Sequence, residues 1–315
     1  MIDFRFHLVS IVSIFLALAV GIVLGAGPLQ GSIGTQLTDQ VSQLRQEKDV
    51  LRTQLHDANT SVGSQNDYAA VVAGSALGGR LAGKGVVLVV GSDTAGKFAN
   101  EVQQSLTQAG ASVTTVLTLM DDYRDPAAGA VRLAAAKKAA QRLGLTGADD
   151  PDTLVADVVS RVLVRDGSAT DSPLPDGAEA LGDLKSAGLL DYSQSTLRRA
   201  DDVVMLGGPI SGTAASVKAQ TTTFLALVTA LDSGSLGLVV ASGAPTTGVG
   251  QEVTTNLVTV IRADKRMASV ISTVDHADST IGAAVVVLAA VRETAGTSGH
   301  YGISPDAQAT VPPTS

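Results

Sequence analysis

The chain contains no cysteine and no tryptophan. Without cysteine it has no disulfides, thiolate nucleophiles, iron–sulfur clusters or thiolate metal sites. That absence does not assign a compartment, because exported proteins also do without cysteine. Aromatic residues are scarce as well, at four Tyr and five Phe, while 45% of the chain is hydrophobic. A core must therefore be built from Val, Leu, Ile and Ala. There is no long basic run, and the net charge is −8, which argues against nucleic acid as a partner. Soft and imidazole metal ligands are also few. The histidines are His7, His56, His276 and His300, and the methionines beyond the start are Met120, Met205 and Met267. Copper(I) favours Cys and Met and copper(II) favours imidazole, yet neither type clusters. His276 lies between Asp275 and Asp278. It is the one candidate metal ligand, set against a reading as a hydrogen-bonded turn residue, which is favoured. No G-x-S-x-G nucleophile motif is present, no catalytic or cofactor-binding residue is assigned, and no enzyme activity is expected.

What is present begins with an apolar run. Leu8 to Leu29 carries no charged side chain, and its strongest polar groups are Ser10 and Ser13. A helix of that length spans roughly 33 Å, enough to cross a bilayer core. The run exceeds the apolar region of a secretory signal, so it is read as an uncleaved single-pass anchor. Arg5 and the amino terminus oppose Asp3, and the next charge is Asp39. The positive-inside bias then puts the N-terminus in the cytoplasm and the bulk of the chain outside it. Ser13, Ala17, Gly21 and Gly25 recur every four residues. In lipid, such a stripe lets two helices approach closely, which makes Ala17, Gly21 and Gly25 candidate packing residues. The alternative is that Gly and Ala are simply common in spanning helices.

A heptad register follows. Leu37, Leu44 and Leu51 repeat every seven residues, with Val41, Lys48 and Leu55 in the complementary positions. This pattern predicts a coiled-coil seam of about four heptads, roughly 40 Å long, with Lys48 as a polar a-position residue. A homodimer or higher homo-oligomer is expected, and the same helix is a surface for a partner protein of the envelope. A single amphipathic helix lying on the following domain is the competing reading.

The expected layout is an anchor at 1–29, a coiled coil at 30–62, a Gly/Ala/Ser-rich linker at 63–84 with a short helix around Tyr68–Leu77, an α/β domain at 85–292 and a flexible tail at 293–315. Within the domain, Val86–Val90 is a continuous apolar run that suits a strand buried on both faces. Ser112–Leu119, Asp202–Leu206, Leu236–Ala241 and Ala268–Thr273 are further strands. Helices are expected at Ala95–Ala109, Ala127–Leu143, Asp152–Val164, Asp176–Ala187, Thr213–Leu231, Gln251–Arg262 and Ile281–Val291. The alternation predicts a mostly parallel, Rossmann-like doubly wound sheet. A transmembrane β-barrel instead needs strands of about ten residues with alternating polarity and aromatic girdles, and these strands are uniformly apolar.

Gly91-Ser92-Asp93-Thr94-Ala95-Gly96-Lys97-Phe98 follows a strand and opens a helix, the setting of a phosphate-binding loop. That motif requires Ser or Thr after the Lys to hold Mg²⁺, and Phe98 cannot. It is read as a glycine-containing strand-to-helix turn. Gly207-Gly208-Pro209 and Ser242-Gly243-Ala244-Pro245 lie at the carboxyl ends of expected parallel strands. Open α/β sheets commonly bind ligands at that edge, although any tight turn needs the same residues.

Several segments together carry a resemblance. These are the opening MIDFRFHLVSIVSIFLALAVGIVLGAGPLQ, the heptads, ISTVDHADSTIGAAVVVLAA from Ile271 to Ala290, and Gly299-His300-Tyr301-Gly302. They resemble the MctB family of actinobacterial envelope copper transport proteins, proposed to form an outer-membrane channel. The resemblance covers nearly the whole chain. It implies copper efflux or homeostasis across the envelope, with copper as the transported species and no resident cofactor, and an outer-membrane location as the alternative to a single-pass anchor. The competing reading is a coiled-coil scaffold or regulator that binds an envelope enzyme of cell-wall remodelling or division, without transport activity.

Overall fold

The computed structural model describes residues 4–25, 29–146, 149–165, 174–193, 197–244 and 253–313. The chain divides into two compact units, residues 1–65 and 66–315.

The first unit is helical. α1 (Phe4–Gly25) is long and apolar enough to cross a membrane, and none of its side chains is buried within the chain. A helix that is apolar all round is stable only when its surroundings are also apolar. α2 (Leu29–Leu77) is one continuous helix of 49 residues. The short helix expected around Tyr68–Leu77 is present, but no hinge precedes it: residues 63–67 are helical too, and the helix is continuous with the heptads. Gly63 and Gly74 do not break it, because a glycine inside a helix costs only about 1 kcal/mol. The surrounding Ala, Val, Ser and Gln continue the hydrogen bonding. The actual break comes at Gly79 and Gly83, which adopt φ of +76° and +77°. Around it the chain is held by Leu77 and Leu81, both fully buried, and by a hydrogen bond from the Leu81 N–H to the Ala109 carbonyl (2.8 Å).

The second unit is a seven-stranded sheet in the order β3-β2-β1-β4-β6-β8-β9. Its strands are β1 (Gly85–Val90), β2 (Ser112–Leu119), β3 (Leu190–Tyr192), β4 (Asp202–Gly207), β6 (Gly237–Ser242), β8 (Ser272–Val274) and β9 (His300–Tyr301). All neighbours run parallel except β3, which pairs antiparallel to β2. β5 (Ile210–Gly212) and β7 (Val253–Thr255) form a separate antiparallel pair. Every residue of β4 and β6 is buried, as their unbroken apolar runs require of central parallel strands.

Alternation along the strands feeds two cores. Val87, Val89, Val203, Met205, Leu238 and Val240 face α5 (Gly129–Arg142), α6 (Pro151–Leu163), α7 (Gly177–Ser186) and α8 (Ala214–Gly234). Val86, Leu88, Val90, Val204, Leu206 and Val239 face α3 (Asp93–Gln108) and α11 (Thr280–Thr294). The short helices α4 (Asp121–Arg124), α9 (Leu257–Ala263) and α10 (Lys265–Ala268) complete the layers. The expected α/β class and mostly parallel sheet are thus present.

Two further expectations are corrected. The helix expected over Gln251–Arg262 begins only at Leu257, with Asn256 as its N-cap, and the β-branched Val253–Thr255 forms β7 before it. Residues 251–252 lie outside the described residues. The tail expected from 293 is built into the domain as far as Pro313. Glu293 is buried and accepts a 2.7 Å hydrogen bond from the Ser272 N–H. His300–Tyr301 adds a parallel edge strand to β8, and the Gly302 N–H donates to the Ala309 carbonyl at 3.0 Å.

Candidate functional site

The two most distinctive sequence segments, around His276 and around His300, meet on one guanidinium. The side chain of Arg262, in the last turn of α9, is 4% exposed. Its Nε donates to Thr273 Oγ1 (2.8 Å), and its Nη2 donates to the Tyr301 carbonyl (2.8 Å). Its Nη1 reaches Asp275 Oδ2 (2.8 Å) and Asp306 Oδ1 (3.0 Å). Asp275 Oδ1 accepts from the N–H groups of Ile303 (2.8 Å) and Ser304 (3.2 Å) and lies 2.6 Å from His276 Nδ1. Burial alone would raise the Asp275 pKa. The hydrogen bonds from His276, Arg262 and Ile303, together with the Arg262 charge, outweigh it and hold the carboxyl below its ordinary range. His300 Nδ1 lies 2.9 Å from Thr273 Oγ1. Burial, then the nearby Arg262 charge, lowers its pKa.

The backbone explains the small residues here. Gly302 has φ +133°, and a Cβ on it would overlap the Asp275 carboxylate. A Cβ on Gly282 would overlap the His276 carbonyl. His276 itself sits at φ +55°, an uncommon left-handed conformation for a residue with a side chain. Its neighbour Asp275 is fully engaged, and Asp278 Oδ1 accepts from the Ala244 N–H (3.1 Å). Among the described residues, no group of three or more His, Asp or Glu is placed to hold a metal ion. In this clasp His276 occupies a left-handed turn position, with Nδ1 hydrogen-bonded to the Asp275 carboxylate. Arg262 was not visible as a member of this clasp from sequence, since its partners lie 11 to 44 residues away.

The two loops at the carboxyl ends of β4 and β6 also come together. Gly207-Gly208-Pro209 and Ser242-Gly243-Ala244 wall a cleft of about 520 Å³. Lys97 and Glu101 of α3, Asn256 and Asp278 contribute to its polar lining, together with three threonines, Thr254, Thr255 and Thr259. The phosphate-loop-like segment is a capped turn: Ser92 Oγ accepts from the Ala95 N–H (3.1 Å) and starts α3. Phe98, where a metal-binding hydroxyl would be needed, is 5% exposed and packed in the core. Lys97 is exposed and faces the cleft.

At the opposite end of the sheet, Asp202 opens β4 at 2% exposure, and neither carboxyl oxygen has a hydrogen-bond partner among the described residues. Burial pushes its pKa up to about 7. Asp201 and Glu293 add to the rise, and Lys84 and Arg165 oppose it.

In the helical unit the seam positions are open. Leu44 and Leu51 are 63% and 62% exposed, and Leu37, Val41 and Leu55 are also exposed, as is Lys48. Ala17 is exposed too, and a Cβ built on Gly21 or Gly25 would meet nothing within 4 Å.

A family model described as copper transport outer membrane protein, MctB, matches residues 1–312. The copper transporter MctB of Mycobacterium tuberculosis (strain ATCC 25618 / H37Rv) is 29% identical over 326 aligned residues, covering 96% of each chain. That of Mycobacterium leprae (strain TN) is 26% identical over 316, again covering 96% of each.

Proposed function

Because the chain belongs to the MctB family of copper transport outer membrane proteins, we propose that it serves copper efflux or homeostasis across the cell envelope. The observation that carries this reading is the match over 1–312, which includes α1, the heptads and the Arg262 clasp together. Copper is the transported species in this reading. A strain lacking the protein is expected to become more copper-sensitive and to retain more cell-associated copper. Unchanged sensitivity together with unchanged copper content would refute the proposal.

We further propose that α1 is a single-pass anchor with the N-terminus cytoplasmic and the bulk of the chain outside. Protease shaving of intact cells with fractionation checks both side and membrane. Recovery of the protein from the outer membrane would support the other location.

A second reading rests on a separate observation, the exposed apolar seam of α2. Here the seam pairs two or more copies, or engages an envelope enzyme, and the protein acts as a scaffold. The chain has no cysteine, so a single introduced thiol reports unambiguously. Leu44→Cys is expected to cross-link two copies on oxidation, whereas Gln46→Cys on the outer face is not. Replacing Leu44 and Leu51 by Ser is expected to abolish both self-association and partner capture. Capture that survives those changes counts against the scaffold reading.

A further inference from the structure

The cleft between the β4 and β6 loops has no place in the copper reading, yet it has the features of a binding site. It lies beside the β1–β4 switch point, where the chain leaves β2 and β3 on one side and returns on the other. Ligands of open α/β sheets bind at that edge. Its volume of about 520 Å³ falls within the roughly 300–1,000 Å³ typical of small-molecule sites.

The second observation is Ser242. It is 3% exposed and lines the cleft, and its Oγ has no hydrogen-bond partner among the described residues. A hydroxyl sealed from water without a partner is costly in free energy, so a ligand group meeting it there gains more than it would at the surface. The other polar groups are partly engaged. Glu101 Oε1 accepts from Thr280 Oγ1 at 2.5 Å, and Asp278 Oδ1 accepts from the Ala244 N–H at 3.1 Å. The second oxygen of each carboxylate remains an acceptor, and Asn256 Oδ1 is occupied by capping the Thr259 N–H (2.9 Å).

Charge narrows the ligand class. Among the described residues, one ammonium, Lys97, stands with two carboxylates, Glu101 and Asp278. The excess negative charge disfavours a phosphate or carboxylate ligand, and Lys97 in the same space disfavours an amine. Neutral groups that both donate and accept match the lining. Ligand hydroxyls donate to Glu101 and Asp278 and accept from Lys97, and either role satisfies Ser242. We propose that this cleft binds a small neutral polyhydroxylated ligand of the sugar class, with Ser242 and Lys97 as its principal contacts.

The test uses the full chain in detergent micelles with glucose, N-acetylglucosamine and maltose as probes, and with inorganic phosphate and copper(II) as competitors in kind. Saturation-transfer NMR and thermal unfolding are recorded together. At about ten times Kd, a bound sugar should raise Tm by about 3–5 °C. Ser242→Ala removes an unpartnered hydroxyl and should fold at least as well as the parent, while weakening sugar binding about tenfold. Lys97→Met should do the same. The proposal is overturned if no sugar gives saturation transfer, if phosphate or copper(II) occupies the cleft instead, or if both variants bind sugar as the parent does.

Discussion

Asp202→Asn should change how stability depends on pH, with a sign fixed by the site. Asp202 is fully buried at the start of β4, and its pKa is pushed up to about 7 from an ordinary 3.8. The folded chain therefore holds a proton that the unfolded chain releases. Its contribution to stability is complete below pH ~3.8 and is lost as pH rises through about 7. From pH 5 to pH 8 the linkage relation with these two values removes about 2–3 kcal/mol. The variant, which cannot ionise here, loses none of that. A buried amide brings its own hydrogen-bond deficit, of about 1–3 kcal/mol, but that deficit is equal at both pH values and cancels when the difference is taken. Glu293, whose pKa burial also raises, titrates in both proteins. The assay is urea unfolding of the full chain in detergent, followed by near-ultraviolet circular dichroism. Tyr123, Tyr192 and Tyr301 of the sheet domain supply the signal. The gain of Asp202→Asn over the parent should be larger at pH 8 than at pH 5 by about 2–3 kcal/mol. Parallel pH profiles for the two proteins would refute the buried-carboxyl account.

The clasp gives the opposite pH response: Asp275, held below its ordinary range, stabilises fully above the unfolded value and is lost as pH falls through the folded one. Arg262→Met strands this buried carboxylate and should cost about 3–5 kcal/mol in urea unfolding. Adding Asp275→Leu should recover part of that loss, and a double-mutant cycle measures the coupling. Gly302→Ala sets a Cβ against the Asp275 carboxylate at φ +133°, and should lose about 2 kcal/mol or more. Gly74→Ala, with open space around its Cβ inside α2, should gain up to about 1 kcal/mol by the same assay. Asp150→Ala removes the cap that accepts from the Thr153 N–H (2.8 Å) at the start of α6, at a cost of about 1 kcal/mol.

Elements set by near neighbours were legible in the residues. Ser112–Leu119 forms β2 with the expected bounds, because its β-branched run offers no competing helical face. Val86–Val90 suits a strand buried on both sides and falls within β1, while the helices expected from Ala95 and Asp152 start slightly earlier, at Asp93 and Pro151, where Ser92 and Asp150 cap them. Gly63 misled, since it read as the start of a hinge while a long helix absorbs it at small cost. β9 was hidden for a different reason. His300–Tyr301 has no strand pattern of its own, and its place depends on β8, on Arg262, and on Gln308, whose N–H donates to the His300 carbonyl at 2.8 Å.

By itself, then, the sequence determined the apolar helix that opens the chain, the heptad stripe behind it and the βα alternation of the domain. Each is a periodicity carried by residues within a few turns of one another. Only the tertiary structure decided that Arg262 draws the His276 and His300 segments into one clasp, and that Lys97, Gly207, Ser242 and Asp278 share one cleft. Those residues are far apart along the chain, and no local pattern encodes their meeting. The path of the parallel sheet brings them together, because each βα crossover returns the chain to the same edge.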